Sequence, residues 1–345
     1  MTPRINCVLI AIAKSDPADF RSSTAIPSNL EANDAIESMQ PILLLEQGLN
    51  GVQLGVMLFL LAAGLTLVFG IMNLVNMAHG SFYMIGAFIS TAVFAATGSF
   101  VVAIGTALLT ALAVGIVVEL VVFRLLYARE RLDQVLATFG LILFFNEMVR
   151  TIWGSTPRYA AVPSFLSGQI EILPGVPYPA YRLAIIAVGL LVALLLYILI
   201  NKTRTGMLIR AGASNRVMVG ALGVNIALLY TMIFGLGAAL AALSGLMAGP
   251  IFTVEPGMGE SVLILAFVII VIGGIGSIRG AFIAAILVGS VDTMGRAFLR
   301  LLLATVMSRA AADNAGPALA SILIYVLMAA VLYFRPQGLF PPRMR

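Results

Sequence analysis

Between Gly70 and Phe88 the chain reads GIMNLVNMAHGSFYMIGAF, so Asn73, Asn76, His79, Gly80 and Ser81 interrupt one of its most apolar regions. His79 is the only histidine. An imidazole titrates near neutrality and can relay protons, although a lone histidine at a helix start more commonly orients its neighbours through hydrogen bonds. Backbone groups freed by a helix break are costly in lipid and persist only where protein or water satisfies them. The break therefore predicts a gate or a polar path with Asn73, Asn76 and His79 facing inward. A second break is expected at GPIFTVEPGMGES, Gly249 to Ser261, with Thr253, Glu255, Pro256 and Gly257 at its centre. Each break leads into an apolar helix ending in Ala-Phe, SFYMIGAF in one case and SVLILAF in the other.

A purely structural reading competes with this one. Small residues let membrane helices pack closely, which suffices for Gly64, Gly86, Gly235 and Gly237, and asparagine side chains cap helix starts. Other chemistries lack actors. One histidine, one cysteine (Cys7) and no HExxH or GxSxG pattern leave hydrolysis and metal catalysis without a constellation. There is no GxxxxGK[ST] phosphate loop, no cofactor is implied, and a single cysteine forms no internal disulfide. Energy must come from a partner or an ion gradient. Two charge pairs at helical spacing, Glu147 with Arg150 and Asp292 with Arg296, read as local pairs near helix ends rather than a proton relay.

The elements that position these residues follow from composition. Of 345 residues, 61% are hydrophobic and 10% charged, far below the charge content of about 25% in soluble domains. Apolar runs of roughly 20 residues match the span an α-helix needs, and no alternating barrel-strand pattern appears. The fold class expected is an all-α polytopic membrane bundle of about 8–9 helices. Nine candidate spans lie at about 48–70, 79–97, 100–123, 135–152, 183–201, 226–250, 261–278, 280–299 and 316–334. The domain division expected is a polar, unstructured extension over 1–45, a transmembrane domain over 46–340 and a cytoplasmic loop over 202–225 within it. Met39, opening MQPILLLEQGLNGVQLG, is the expected translation start.

Lys and Arg set orientation, because cationic loops stay inside. Arg124, Arg129 and Arg131, then Lys202, Arg204, Arg210 and Arg216, then Arg279, Arg335, Arg343 and Arg345 all fall on one side if the nine spans alternate. That side is the cytoplasm, and the net charge of +5 is this bias rather than a nucleic-acid surface. The two breaks then join spans one to two and six to seven. An odd offset of five predicts an inverted repeat, whose interrupted segments point to a transport site. In the cytoplasmic loop, Ser214 or Asn215 caps a short helix, RVMVGALGV, bounded by Gly223. Such a helix can lie on membrane lipid or dock in a partner's groove.

From about Gln47 to Phe340 the chain resembles permease subunits of bacterial ABC importers for branched-chain amino acids, the LivH/LivM group. The resemblance is carried by GLTLVFGIMNLVNMAHGSFYMIGAF, GMLIRAGASNRVMVGALGVN, GGIGSIRGAFIAAILVG and FRPQGLF, in that order. It is nearer the LivH type, through NMAHGSFYMIGAF. The resemblance implies an inner-membrane pore subunit, itself no enzyme, working with a second, LivM-like permease, two cytoplasmic ATPases and a periplasmic binding protein. It implies alternating access, with Asn73–Ser81 and Thr253–Gly259 at the gates and Arg210, Asn215, Arg216, Ala221, Leu222 and Gly223 passing on the ATPase motion. The rival is an ion-driven secondary transporter, which requires ionisable residues at mid-helix. Among related permeases the solute varies between branched-chain amino acids, urea, short amides and other small polar molecules.

Overall fold

The computed structural model describes residues 29–340, Ala128 and Gly175 excepted. Of the unstructured extension expected over residues 1–45, residues 1–28 lie outside them and residues 29–45 are helical. Eleven helices follow the apolar runs, all nine candidate spans among them. The spanning helices are α1 (Asn29–Met72), α2 (His79–Thr97), α3 (Phe100–Val118, continued by a π-turn at Glu119–Phe123), α4 (Arg131–Trp153), α5 (Ala180–Lys202), α8 (Ile226–Ala248), α10 (Ile278–Leu303) and α11 (Arg309–Phe334). Eight helices are long and apolar enough to cross a membrane; the ninth candidate, α9 (Met258–Gly273), has 16 residues. At 1.5 Å per residue it is shorter than the roughly 30 Å hydrocarbon layer.

Three departures from the expected elements have local causes. α1 begins at Asn29, well before residue 48, because EANDAIESMQ is rich in helix formers and lacks glycine. The cytoplasmic loop holds two helices, α6 (Arg204–Ser214) and α7 (Arg216–Ala221). The Thr203 side chain accepts from the Gly206 amide at 3.0 Å and starts the first of them. The long connection after α4 folds into a hairpin, β1 (Gln169–Leu173) against β2 (Val176–Pro179).

Burial separates centre from periphery. The most apolar window of α1 is 83% buried and those of α2 and α8 56%, against 17% for α5 and 11% for α11. The outer helices turn Leu, Ile and Val outward because lipid solvates them as well as protein does. Close approach at the centre is made by missing side chains. A methyl group at Gly80 would meet the Gly259 carbonyl oxygen at 2.3 Å, and one at Gly64 would meet the Gly237 oxygen at 2.6 Å.

These contacts repeat. Ser244 Oγ donates to the Met57 carbonyl at 2.7 Å, and shifting each partner by 180 residues gives the Gly64–Gly237 contact. Gly55 of α1 meets Gly289 of α10 as Gly235 of α8 meets Gly115 of α3; between α3 and α10 the offset is 174. α1, α2 and α3 are therefore related to α8, α9 and α10. Since residue numbers rise along α1 as they fall along α8 at their contact, the two units run in opposite directions. This is an inverted repeat with its axis in the plane of the membrane.

The cationic segments meet on one face. Arg279 lies 5.1 Å over the Tyr197 ring, Arg124 donates to Thr231 at 3.3 Å, and Gly70 abuts Gly276. The amides of Leu339 and Phe340 donate to the carbonyls of Ile272 and Gly273 at 2.8 and 3.0 Å, closing the end of α9. On the opposite face arginines are met locally: Arg300 by Asp313 at 3.1 Å and Arg150 by Glu147 at 3.7 Å.

Candidate functional site

The two breaks form as expected, and both lead to helix starts near the middle of the bundle. At the first, Asn73 takes a left-handed backbone (φ 52°), which asparagine tolerates better than most residues, and its side chain is exposed. At the second, Gly257 takes φ 90° before α9 begins. Neither α2 nor α9 has a side-chain cap; instead the His79 and Ser81 amides donate to the Asn76 and Ala78 carbonyls at 3.3 and 3.0 Å, and those of Met258 and Glu260 to the Glu255 and Gly257 carbonyls at 3.2 and 3.0 Å. The capping role weighed for asparagine therefore does not hold at Asn76. Its amide is fully buried and both polar atoms lack partners among the described residues. His79 is also buried; its ring donates to the Leu61 backbone while Nε2 is unpartnered. Gly80 is at the α2–α9 crossing, and Ser81 faces a small crevice shared with Asn146 and Glu260.

The second break has a different environment. Thr253 and Glu255 line a cavity of about 710 Å³ on the face opposite the cationic loops. Pro256 is half-buried beside them. The cavity floor holds Met57, Tyr83 and Ser244. It thus brings together the residues of the second break but stops short of Asn76 and His79. Its walls carry charge of both signs: Arg182 and Arg296, Glu255 and Asp292. Arg182 donates to Asn50 Oδ1, which also accepts from the Tyr178 hydroxyl at 3.0 Å. Arg296 Nε donates to both oxygens of Asp292 at 2.9 Å. The Glu255 carboxylate has no hydrogen bond or ion pair among the described residues. Apolar wall is supplied by Leu54, Leu58, Val262 and Leu265.

Sequence reasoning assigned no role to Asn50, Gln53 or Arg182, which enter the cavity from the middle of α1 and the first turn of α5, segments far apart in the chain. It also passed over Glu119. That carboxylate is fully buried in the π-turn ending α3 and accepts from Tyr127 at 2.8 Å and Thr231 at 2.6 Å, with Arg124 at 3.7 Å. Burial and the adjacent carboxylate push the Tyr127 phenol well above its usual range. A signal was present: Glu119 is the one charge in the run GIVVELVVF, and an unaided charge at that depth is costly.

On the cationic face, Asn215 caps α7, its Oδ1 accepting from the Met218 amide at 3.0 Å. Gly223, φ 86°, turns the chain beyond it. Arg210 reaches back to the Ile200 carbonyl, and Arg216 and Ala221 are exposed. Val217 and Leu222 are each 77% exposed and Met218 59%, a concentrated apolar surface on a polar loop. Losing the cap should cost about 1 kcal/mol in this short helix. Asn215→Ala is expected to fray α7 and speed amide hydrogen exchange at Met218 severalfold, and Asn215→Asp, which can still cap, to restore protection; equal exchange in both variants would show that the cap does not hold this helix.

The pattern of the family described as "Branched-chain amino acid transport system / permease component" matches residues 48–332. The high-affinity branched-chain amino acid transport system permease protein LivH of Escherichia coli K12 is 34% identical over 276 residues, covering 76% of this chain and 89% of that relative. The corresponding protein BraD of Pseudomonas aeruginosa is 31% identical over 309 residues, covering 86% and 95%. A probable LivH permease of Methanocaldococcus jannaschii is 26% identical over 298 residues, covering 82% and 88%. No solved structure matches. With its bundle of spanning helices and these relatives over most of its length, the chain is a multi-pass inner-membrane protein and belongs to the LivH-type family of branched-chain amino acid transport permeases.

Proposed function

We propose that this chain is the permease subunit of an ABC importer that carries branched-chain amino acids, or a similar small zwitterion, inward by alternating access. The observation that carries the reading is the placement of two features on opposite faces. A large cavity opens where a periplasmic binding protein would deliver solute, and an exposed apolar helix projects where cytoplasmic ATPases would dock. The cavity has two cationic and two anionic side chains among its lining residues. That balance suits a solute carrying one ammonium and one carboxylate, and the Leu and Val wall suits a branched side chain.

In this reading residues 46–340 form the transport domain and residues 202–225 the coupling loop. Arg210, Asn215, Arg216, Ala221, Leu222 and Gly223 shape the part that ATPase movement pushes. Asn73, Asn76, His79, Gly80 and Ser81 belong to the inner gate, and Thr253, Glu255, Pro256 and Gly257 to the outer one. A second, LivM-like permease completes the pore. Apolar α4, α5 and α11 face lipid or that partner.

The test is reconstitution. In vesicles holding this chain, its companion permease, the ATPases and the binding protein, leucine is expected to accumulate only with ATP on the ATPase side. The chain alone should sit idle. Accumulation by the chain alone under a proton or sodium gradient would establish the ion-coupled transporter instead.

A further inference from the structure

The inverted repeat relates the open cavity to a closed region on the other side of the bundle. Carried across it with offsets of 180 between α1 and α8, 179 between α2 and α9 and 174 between α3 and α10, the cavity residues Asn50, Leu54, Ser261 and Ala297 become Tyr230, Phe234, Phe82 and Phe123. Where the outer set encloses space, the inner set fills it. The Phe234 ring lies 5.9 Å from Phe82 and 4.8 Å from Phe123, and Tyr230 packs at 5.2 Å on Tyr127. Large aromatic rings stand at the images of smaller side chains, and they touch one another.

The polar residues follow the same rule. Glu255 and Met258 of the cavity have Asn76 and His79 as their images, 179 residues earlier, the offset of the Gly80–Gly259 crossing. Four described residues have buried side-chain polar atoms without a partner: Thr66, Asn76, His79 and Tyr230. Three of the four fall at images of cavity residues, and only Thr66 does not. Orphaned polar groups cost free energy at membrane depth, so their concentration at this one place calls for a state in which they are satisfied.

We propose that the rings of Phe82, Phe123 and Phe234 are a cytoplasmic plug, and that parting them uncovers a second solute-binding cavity lined by Asn76, His79 and Tyr230. The inference rests on the transport reading above and gives its inner half a location. Asn76 Oδ1 can accept from an ammonium and its Nδ2 can donate to a carboxylate, and His79 Nε2 is free to accept. Closing the outer cavity and opening the inner one exchanges the conformations of two related units, so occupancy of the two cavities is reciprocal.

Cysteine labelling of the assembled complex tests this. In a Cys7→Ser background, Tyr230→Cys and Phe123→Cys report the inner cavity, and Leu54→Cys and Val262→Cys the outer. A membrane-impermeant maleimide is applied from the appropriate side, without nucleotide and after trapping with ATP and vanadate. The inner positions are expected to gain labelling on the order of tenfold in whichever nucleotide state the outer positions lose it. Inner positions that stay unlabelled in both states, while the outer ones react, overturn the proposal; Phe123→Cys decides alone if Tyr230→Cys does not assemble. ATP-driven uptake by the parent complex is measured alongside. Uptake without reciprocal labelling overturns this inference only, whereas absent uptake overturns the importer reading on which it rests.

Discussion

Leu222→Asp is expected to abolish solute uptake by the assembled importer while leaving the chain inserted in the membrane. Leu222 ends α7 with 77% of its surface exposed and Val217 and Met218 beside it; such a surface on an otherwise polar loop is suited to burial in a groove. A carboxylate placed there must shed water without gaining a partner. Truncating or charging a central anchor commonly costs 2 kcal/mol or more, roughly thirtyfold or greater in affinity. Nothing in the bundle depends on this side chain, so membrane abundance should match the parent. Leu222→Met keeps the apolar surface and should retain uptake. The measurement is ATP-driven uptake with co-purification of the ATPases. Transport persisting with unchanged ATP dependence would remove the docking role from α7.

The largest effect on folding is expected from Gly245→Val. A Cβ at Gly245 would be 1.9 Å from the Tyr83 carbonyl oxygen and 2.7 Å from its carbon, backbone atoms of a helix that itself has no room to retreat. Three residues along the same seam, a Cβ at Gly86 would be 2.4 Å from the Ala242 Cα. Overpacking against movable side chains costs about 1–3 kcal/mol. Here two backbones must separate, which also opens the contact between α2 and α8. Little folded chain should survive detergent extraction, and what survives should melt at a lower temperature. Gly105→Ala, where nothing lies within 4 Å, serves as the control. A Gly245→Val protein with parental abundance and melting temperature would refute the packing account.

Much of the architecture was legible because hydrophobic length and cationic loops are local signals. The breaks at Asn73–Ala78 and Gly249–Gly257 were legible because glycine, proline and asparagine within apolar sequence have few other uses. A cap before RVMVGALGV could be read from residue type and spacing as Ser214 or Asn215, and the structure makes it Asn215. The cavity could not. Its walls depend on Asn50 meeting Arg182, and Met57 meeting Ser244, across more than a hundred residues, and pairing at that distance leaves no trace in composition. Asp292 and Arg296 were seen as a pair, correctly, but α10 runs on to Leu303, so the pair stands within the helix on a cavity wall rather than near a helix end. The repeat was hinted at by SFYMIGAF and SVLILAF and became readable residue by residue only through contacts such as Gly55–Gly289 and Gly115–Gly235.

The amides that close α9 come from Leu339 and Phe340, while α9 itself ends at Gly273. During synthesis the ribosome must therefore build α10 and α11 before the short helix receives its final hydrogen bonds. Until then α9 rests in the bilayer or the insertion machinery with open carbonyls, a nascent element waiting for the last stretch of its own polypeptide. Truncated chains that stop after α11 should lack that closure altogether, leaving the end of α9 frayed and its last amides less protected from hydrogen exchange than in the full chain.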